Sequence, residues 1–349
     1  MKNSNSTYII GEIGQNHNGS VDIAKLIVDV VARPIKDELF NRRLKPIDAV
    51  KLTKRDLKEE LTDSAMKKPY DSPHSFGKTY GEHREFLELK DEEHFEVYKH
   101  AKSQGIDFVE TLTAKGALSL LKLFTPDRLK VASRDLTNLP LLECMAETKI
   151  PIILSTGMGE KKEIDDALEI ISKYHSNIAI LHCLSEYPAH YENINLNTIK
   201  YLQDNYSDYV IGYSDHSIGI SVPVAAVAMG SNIIEKHITL DRRMKGTDQI
   251  GSLGVDGVWR MVRDIRNIEQ SMGKKDIFIS RSVSSAKHKL ERSIATNKQL
   301  NVGHIITEKD LHMLSPGDGL KWSDRSLLLG KVVNNEVNKN EIIYSSYVK

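Results

Sequence analysis

Short apolar runs recur along the first 270 residues or so, and polar stretches with helical spacing separate them. Apolar runs of this length, bounded by polar residues, are typical of buried strands. The intervening stretches 161–174 and 257–272 repeat apolar residues with the period of an amphipathic helix. The runs that we predict as strands are 8–13, 48–52, 106–111, 128–133, 150–155, 177–183, 209–214 and 232–238.

This alternation predicts the fold class. Strands that alternate with helices form βα units and a parallel sheet. Eight such units match an α/β protein with a (β/α)8 TIM barrel, and a doubly wound sheet is the alternative. No GxGxxG sequence opens a helix after the first strand, which disfavours a dinucleotide-binding sheet. We therefore predict the barrel.

Two regions interrupt the alternation. The segment 53–104 lies between the second and third predicted strands, and its part 67–89 is rich in Gly, Pro, His and aromatic residues. A long insertion at the carboxyl end of a barrel strand favours a substrate lid. After Gly273 the alternation stops. We predict a barrel domain over 1–275, a polar linker over 276–289 and a small β-rich domain over 290–349.

Composition excludes several classes of protein. Lysine plus arginine equals aspartate plus glutamate at 48 each, so no global charge attracts nucleic acid or an anionic membrane. Two cysteines, Cys144 and Cys183, are too few for a disulfide framework. No apolar run has the length of a signal peptide or a membrane span. We expect a cytoplasmic protein with no nucleic-acid or membrane partner.

Polar side chains fall at the carboxyl end of every predicted strand. In a barrel these ends meet at one face, where active sites lie. A single such residue is usually a solvated boundary, but a set in phase on eight strands predicts a site. The set is Glu12, Lys51, Thr111, Lys130 with Ser133, Ser155, His182, Ser214 with His216, and Glu235 with His237.

The residue types in this set indicate two kinds of chemistry. Ammonium and hydroxyl groups such as those of Lys51, Lys130 and Ser155 bind a dianionic phosphate, which predicts a phosphorylated substrate. His216 and His237, with Glu235 nearby, suit manganese or a similar divalent ion, whose shell carboxylates and waters complete. On spacing alone, buried core or helix-capping histidines remain an alternative.

Several segments together resemble one known family, the sialic acid synthases, also called N-acetylneuraminate synthases. The resemblance covers nearly the whole chain, and the order of its motifs makes it specific. Part of the insertion, with KTYGEH at 78–83, is similar to the branch that includes the animal enzymes, which act on a 6-phosphorylated sugar. The matching segments include 9–20, 48–52, 129–142, 151–158, 180–189, 211–220 and 233–249.

The resemblance implies a TIM barrel followed by an antifreeze-like (SAF) domain, in a domain-swapped homodimer. It also implies a reaction, in which phosphoenolpyruvate condenses with N-acetylmannosamine or a related aldose. The products are a nine-carbon 2-keto acid and phosphate, released by C–O cleavage. The implied cofactor is a divalent metal, Mn2+ or alternatively Mg2+ or Co2+.

The resemblance also assigns roles to residues of this chain. It implies His216 and His237 as metal ligands, and Glu12, Lys51, Glu235 and Asp248 as catalytic residues. It places Tyr187, Ser185 and Asp248 at the sugar. The resemblance also implies six residues around phosphoenolpyruvate: Lys51, Thr111, Lys130, Ser133, Ser155 and Ser214.

Departures from the family pattern concentrate on the sugar side. Thr53 stands where a glutamine is usual, Ser185 where an asparagine is usual, and Ser315 where bacterial members commonly carry an arginine. A usual GSG is replaced by 132–134, Ala-Ser-Arg. We therefore expect the reaction to be retained with an altered acceptor. Four residues of the insertion are candidates to contact a sugar phosphate, although a solvated lid is an alternative: Lys78, Tyr80, His83 and Arg84.

Three other functions stay open at the level of sequence. A synthase of this type could act on a modified hexose that leads to a legionaminic- or pseudaminic-type acid. The barrel could instead bind a sugar without turnover. A Schiff-base aldolase would use a lysine such as Lys130 as nucleophile.

Overall fold

The computed structural model describes residues 6–38 and 40–349. Its strands, numbered in chain order, are β1 Tyr8–Gly14, β2 Ile35–Asp37, β3 Arg42–Leu44, β4 Ala49–Lys54, β5 Asp107–Leu112, β6 Arg128–Val131, β7 Ile152–Ser155, β8 Ile178–Cys183, β9 Val210–Asp215, β10 Ile233–His237, β11 Ser293–Thr296 and β12 Leu311–Leu314.

The α-helices, also numbered in chain order, are α1 Val21–Val31, α2 Leu57–Glu60, α3 Asp63–Met66, α4 Tyr80–Leu87, α5 Asp91–Ser103, α6 Leu139–Glu147, α7 Lys161–Ser172, α8 Asn197–Asn205, α9 Ser221–Ala228, α10 Val255–Ser271 and α11 Ser284–Leu290. Within the described ranges, no helix is long and apolar enough to cross a membrane.

Eight parallel strands close into a barrel, in the order β1-β10-β9-β8-β7-β6-β5-β4, with β4 paired back to β1. Each barrel strand overlaps one of the eight predicted runs. The strands are almost entirely buried because the barrel interior covers one face and the helices cover the other. The predicted TIM-barrel fold is therefore confirmed.

The interior of the barrel divides into an apolar floor and a polar mouth. Side chains along a strand alternate between its two faces, so every second residue points into the barrel. In six strands an apolar residue of the floor precedes a residue of the mouth by two positions. These pairs are Ile10 and Glu12, Ala49 and Lys51, Val109 and Thr111, Ile153 and Ser155, Leu181 and Cys183, and Ile233 and Glu235.

Some elements differ from the sequence prediction. The polar segment after α1 forms the antiparallel hairpin β2–β3, which the prediction missed because three-residue strands carry almost no period-two signal. The crossover after β5, for which no helix was predicted by residue number, is a 3₁₀ helix, Lys115–Lys122. The insertion 53–104 is not one long loop: it contains α2, α3 and α4, and α5 closes the βα unit.

A boundary between two compact units falls after Gly273, and the second unit is Lys274–Lys349. In the second unit β11 and β12 pair antiparallel, and isolated bridges such as that of Leu300 with Val337 extend the sheet-like pairing. Its own core is formed by Ile294, Leu300, Ile306, Leu311, Leu328, Val333, Val337 and Ile343. The segment 276–289, predicted as a linker, is exposed and includes most of α11.

Candidate active site

A cavity of about 620 Å³ occupies the carboxyl end of the barrel. Its lining includes side chains from all eight strands or the turns that follow them, as expected for the catalytic face of this fold. The predicted residues that line it are Glu12, Lys51, Arg84, Thr111, Lys130, Ser133, Ser155, Ser185, Tyr187, Ser214, His216, Glu235, His237 and Asp248.

Two lysines and two glutamates form a buried charge network in the deepest part of the mouth. The Lys51 ammonium forms an ion pair with Glu12 and lies 3.9 Å from a Glu235 oxygen. Lys130 approaches the other Glu235 oxygen at 3.7 Å. Ser214 donates a hydrogen bond to Glu235 at 2.9 Å, and Lys51 donates one to Thr111 at 2.9 Å. All four charged side chains are almost completely buried.

The network separates the proton affinities of the two carboxyl groups. Burial raises the pKa of Glu12, and the Lys51 ammonium opposes this shift while the Glu235 carboxylate adds to it. Burial would also raise the pKa of Glu235, but the Lys130 and Lys51 charges lower it overall to about 2. Two carboxyl groups with pKa values pushed apart can divide acid–base roles between them. Glu12 is the one that can exchange a proton near neutral pH.

Hydroxyl groups stand beside the charge network on the β6–β7 side. Ser133 accepts a hydrogen bond from the Gly157 amide at 3.0 Å. A Cβ atom on Gly157 would lie 2.6 Å from the Ser185 hydroxyl and 2.9 Å from that of Ser133, so only glycine permits this approach. The Ser155 hydroxyl is buried and has no hydrogen-bond partner within the described residues. A buried hydroxyl of this kind is available to a ligand.

The predicted histidine pair is brought together on the other side of the mouth. The ring centroids of His216 and His237 are 5.6 Å apart, and the Tyr187 ring lies 3.9 Å from that of His216. His216 Nδ1 donates to the Leu184 carbonyl at 2.6 Å, so in the neutral imidazole the lone pair is on Nε2. Burial lowers the pKa of His237, which favours a neutral imidazole.

These observations fit a divalent metal ion with two protein nitrogen ligands. The hydrogen bond of His216 to Leu184 uses its Nδ1 and not its Nε2, and the buried Nδ1 of His237 has no hydrogen-bond partner in the described chain. Across residues 6–38 and 40–349, however, no three His, Cys, Asp or Glu side chains are grouped closely enough to hold an ion alone. An ion at the pair would therefore complete its shell with oxygen atoms of substrate and water.

Four predicted residues are not brought to the cavity. His182 points away from the barrel interior, where its Nε2 bonds the Ile194 carbonyl at 2.7 Å, because its strand position has the opposite parity to Cys183. Lys78 is exposed, and its backbone amide donates to Glu82 at 2.6 Å. His83 is buried against Tyr70 and Phe76. Tyr80 accepts both of its hydrogen bonds from Arg84, so it supports that arginine rather than lining the cavity.

The prediction missed several residues that line the cavity, among them Arg55 and Thr113. A signal for them existed. Arg55 continues the inward-facing series that begins at Lys51, and Thr113 continues the series of Thr111, each at the next alternate positions. Arg134 was noted only as a departure, although it lies four residues after Lys130 and lines the same cavity.

Comparison with known proteins identifies the family of this chain. Residues 45–277 match the NeuB family, and residues 291–348 match the SAF domain. The chain therefore belongs to the NeuB family and is an enzyme of the sialic-acid synthase type. The SAF match also identifies the second compact unit as the predicted antifreeze-like domain.

Relatives with different named products share nearly the full length. The chain is 32% identical to human N-acetylneuraminate-9-phosphate synthase over 98% of this chain and 92% of that protein. It is 33% identical to the N,N'-diacetyllegionaminic acid synthase of Legionella pneumophila over 94% of this chain and 90% of that protein. The chain is therefore about equally similar to synthases of two different named products.

A solved structure supports the same assignment. The N-acetylneuraminic acid synthetase of Leptospira borgpetersenii superposes with a TM-score of 0.68 at 29% identity. The superposition covers 82% of this chain and 93% of that one.

Proposed function

We propose that this enzyme condenses phosphoenolpyruvate with an N-acylated aldose and releases phosphate by cleaving the C–O bond of phosphoenolpyruvate. The observation that carries the proposal is the convergence of the buried Lys51–Glu12–Glu235–Lys130 network with the His216–His237 pair in one cavity. The first group supplies charges for an anionic substrate, and the second supplies nitrogen ligands beside it.

In this proposal phosphoenolpyruvate occupies the deep, lysine-rich part of the cavity. Lys51 and Lys130 neutralise its carboxylate and phosphate, and hydroxyl groups donate hydrogen bonds to the remaining oxygens. The free Ser155 hydroxyl supports this placement because a phosphate oxygen would satisfy it. The proposed contacts are Lys51, Thr111, Lys130, Ser133, Ser155 and Ser214.

The proposed chemistry begins when C3 of phosphoenolpyruvate attacks the aldehyde carbon of the acceptor. A C–C bond forms as the C2–C3 and carbonyl π bonds break, so positive charge develops at C2 and the aldehyde oxygen gains negative charge and takes up a proton. The Glu12 carboxylate stabilises this charge and then accepts a proton from the water that adds to C2. The tetrahedral intermediate expels phosphate. The raised pKa of Glu12 suits this residue to the proton transfer. Glu235, whose pKa is lowered, remains ionised and holds the two lysines in place.

We propose Mn2+ at His216 and His237, with Mg2+ or Co2+ as alternatives. A bound divalent ion would act as a Lewis acid on the aldehyde oxygen of the acceptor. Asp248 lies near His237, since a Cβ atom on Gly14 would be 3.5 Å from an Asp248 oxygen and 3.4 Å from the His237 ring. We assign Asp248, Tyr187 and Ser185 to the acceptor and to metal-bound water.

An assay with purified protein, phosphoenolpyruvate and Mn2+ tests the reaction. The acceptors are N-acetylmannosamine, its 6-phosphate, and modified hexoses of the legionaminic and pseudaminic type. We expect phosphate release that requires one acceptor and yields a 2-keto acid with three more carbons than that acceptor. If none of these sugars supports consumption of phosphoenolpyruvate, the proposal is rejected.

A Schiff-base aldolase is a second candidate because burial lowers the pKa of Lys130, against the opposing Glu235 charge. An amine with a lowered pKa is a better nucleophile at neutral pH. This reaction predicts that borohydride traps pyruvate covalently on Lys130. If mass spectrometry shows no adduct, the aldolase is rejected and the condensation with phosphoenolpyruvate stands as the proposed reaction.

We also propose that the enzyme acts in the cytoplasm as a domain-swapped homodimer, as the family resemblance implies. Sedimentation analysis of the full chain tests the assembly. A species of twice the chain mass supports it, and a monomer over the working concentration range argues against it.

A further inference from the structure

A buried ion pair stands directly behind the histidine pair, on the outer face of the barrel strands. Asp215 precedes His216 in the chain, Lys236 precedes His237, and both charged side chains are almost completely buried. The Lys236 ammonium lies 2.6 Å from an Asp215 oxygen. Because side chains alternate along a strand, the ion pair points outwards while the histidines line the cavity. The pair therefore connects β9 with β10 immediately behind the proposed metal ligands.

The same face of the two strands is otherwise apolar. Tyr213 and Ile234, two positions before Asp215 and Lys236, belong to the hydrophobic core that joins the strands to the helices. Removing two charges from water is costly, and well-packed apolar side chains in place of a buried ion pair are often equally or more stable. An ion pair in this layer therefore favours a role in geometry over a role in stability.

Asp215 organises the turn that carries His216. Its carboxylate accepts hydrogen bonds from the Ser217 amide and the Ser217 hydroxyl, both at 3.0 Å. It also accepts one from the Tyr213 hydroxyl at 2.9 Å. The Lys236 ammonium donates a further hydrogen bond to the Ser217 carbonyl. The residues on both sides of His216 are thereby bonded to each other and to β10.

This connection replaces the strand pairing where the pairing stops. The register between β9 and β10 ends one residue before the two histidines. The His216 carbonyl accepts instead from the Ala189 amide at 3.0 Å. The His237 carbonyl accepts from the Leu253 amide at 2.8 Å. The two backbones thus bond to different neighbours, and the Lys236 ammonium still links them.

We propose that the Lys236–Asp215 pair is a positioning clamp, which holds His216 and His237 at the spacing that a bound divalent ion requires. The inference rests on the proposed metal site, because it assigns the groups behind the two nitrogen ligands of that site. Partners outside the coordination shell commonly orient metal ligands, and their loss lowers metal affinity by about 10- to 100-fold. Neither Lys236 nor Asp215 is among the residues that line the cavity, so both are positioning residues.

The test is the double variant Asp215→Asn/Lys236→Met. It removes both charges together, so no unpaired charge is left buried. Asparagine can still accept from the Ser217 amide and the Tyr213 hydroxyl, which confines the change to the bonds of Lys236. Electron paramagnetic resonance of free Mn2+ should show a Kd that is about tenfold higher or more. Affinity for phosphoenolpyruvate, titrated calorimetrically without metal, should stay within about twofold.

Two further variants separate positioning from packing. Lys54→Met/Glu88→Gln is the matched control, because Lys54 is buried at the end of a barrel strand, 2.9 Å from a Glu88 oxygen, and does not line the cavity. Its affinity for Mn2+ should stay within about twofold of wild type. Ser217→Ala removes one uncharged bond of the clamp and should raise the Kd for Mn2+ by about threefold. This milder variant decides if Asp215→Asn/Lys236→Met does not fold.

Unchanged Mn2+ affinity in the folded double variant would overturn the clamp, and so would an equal loss in the Lys54→Met/Glu88→Gln control. If the wild-type protein binds no Mn2+, the proposed metal site fails, and crystal structures of the wild type and the double variant decide the clamp separately. The ring centroids of His216 and His237, 5.6 Å apart, should then shift relative to each other by more than about 0.5 Å. An unchanged spacing would reject the clamp.

Discussion

The two ends of the barrel arrange charge in opposite ways. At the amino-terminal end, Arg266 contacts Asp48 at 3.2 Å and Glu269 at 2.9 Å, and Asp107 contacts Arg128 at 3.1 Å. At the mouth, Glu12 and Glu235 compete for Lys51, and the Ser155 hydroxyl has no described partner. The first end consists of ion pairs and hydrogen bonds that satisfy its charges, whereas at the mouth one ammonium is shared by two carboxylates and a buried hydroxyl has no described partner.

This difference indicates where the fold gains stability and where it carries chemistry. Ion pairs at the amino-terminal end connect α10 with the residue before β4, and β5 with β6, so their loss should be measured as unfolding. Buried charges at the mouth are desolvated and incompletely satisfied, which is costly for folding and useful for binding anions. Substitutions at the two ends should therefore separate activity from stability.

The largest effect is expected from Glu12→Gln. This change removes the carboxylate that we place beside C2, so kcat should fall by about 10³-fold. The free energy of unfolding should change by no more than about 1 kcal/mol, because the substitution also removes a buried charge. Steady-state kinetics and denaturant unfolding measure the two quantities. Binding of phosphoenolpyruvate should persist, and its loss would give Glu12 a structural role.

His237→Ala should lower Mn2+ affinity and kcat together, each by about 10²-fold. Binding of the metal is measured by electron paramagnetic resonance of free Mn2+, independently of turnover. The control is His182→Ala, since His182 lies outside the cavity lining. Equal loss of metal affinity in both variants would remove His237 from the metal site.

Arg266→Met tests the opposite end of the barrel. It breaks the contacts with Asp48 and Glu269, so the free energy of unfolding should fall by about 2 kcal/mol. Because this end is remote from the mouth, kcat/KM should stay within about twofold of wild type. A kinetic defect at temperatures where the variant remains folded would contradict the division between the two ends.

A smaller effect is expected in the SAF unit. Burial would raise the pKa of Asp310, but hydrogen bonds from His304, Lys298 and Thr307 lower it overall. A lowered folded-state pKa stabilises the unit above the unfolded pKa of about 4, and the contribution is lost as pH falls. Asp310→Asn should therefore cost about 1 kcal/mol at pH 7 and progressively less below about pH 4. Thermal unfolding of the full chain at both pH values measures the difference, and a constant difference would contradict the assignment.

The sequence predicted the barrel well because its strands are buried on both faces. Such strands appear as continuous apolar runs, so Ile152–Ser155 and Ile178–Cys183 were predicted within two residues. The hairpin β2–β3 was missed because its strands are short and polar.

The deep part of the site followed from strand-end residues, but the rim did not. Lys51, Ser155 and Glu235 lie inside strands, where period-two alternation fixes the direction of each side chain. Arg84 and His83 lie on a helix of the insertion. The sequence pattern does not predict how this helix packs against the barrel, and so it does not predict which of its side chains reach the cavity. Of these neighbours, Arg84 reaches the cavity, whereas His83 packs between aromatic rings.

The most direct test of the proposed chemistry uses phosphoenolpyruvate labelled with ¹⁸O in the oxygen that bridges C2 and phosphorus. After turnover with the preferred acceptor, ³¹P nuclear magnetic resonance shows whether the released phosphate contains the label. Attack by C3, followed by water addition at C2, predicts that phosphate retains the bridging ¹⁸O. Label in the 2-keto acid instead would mean P–O cleavage, and would contradict the roles proposed for Glu12 and the buried lysines.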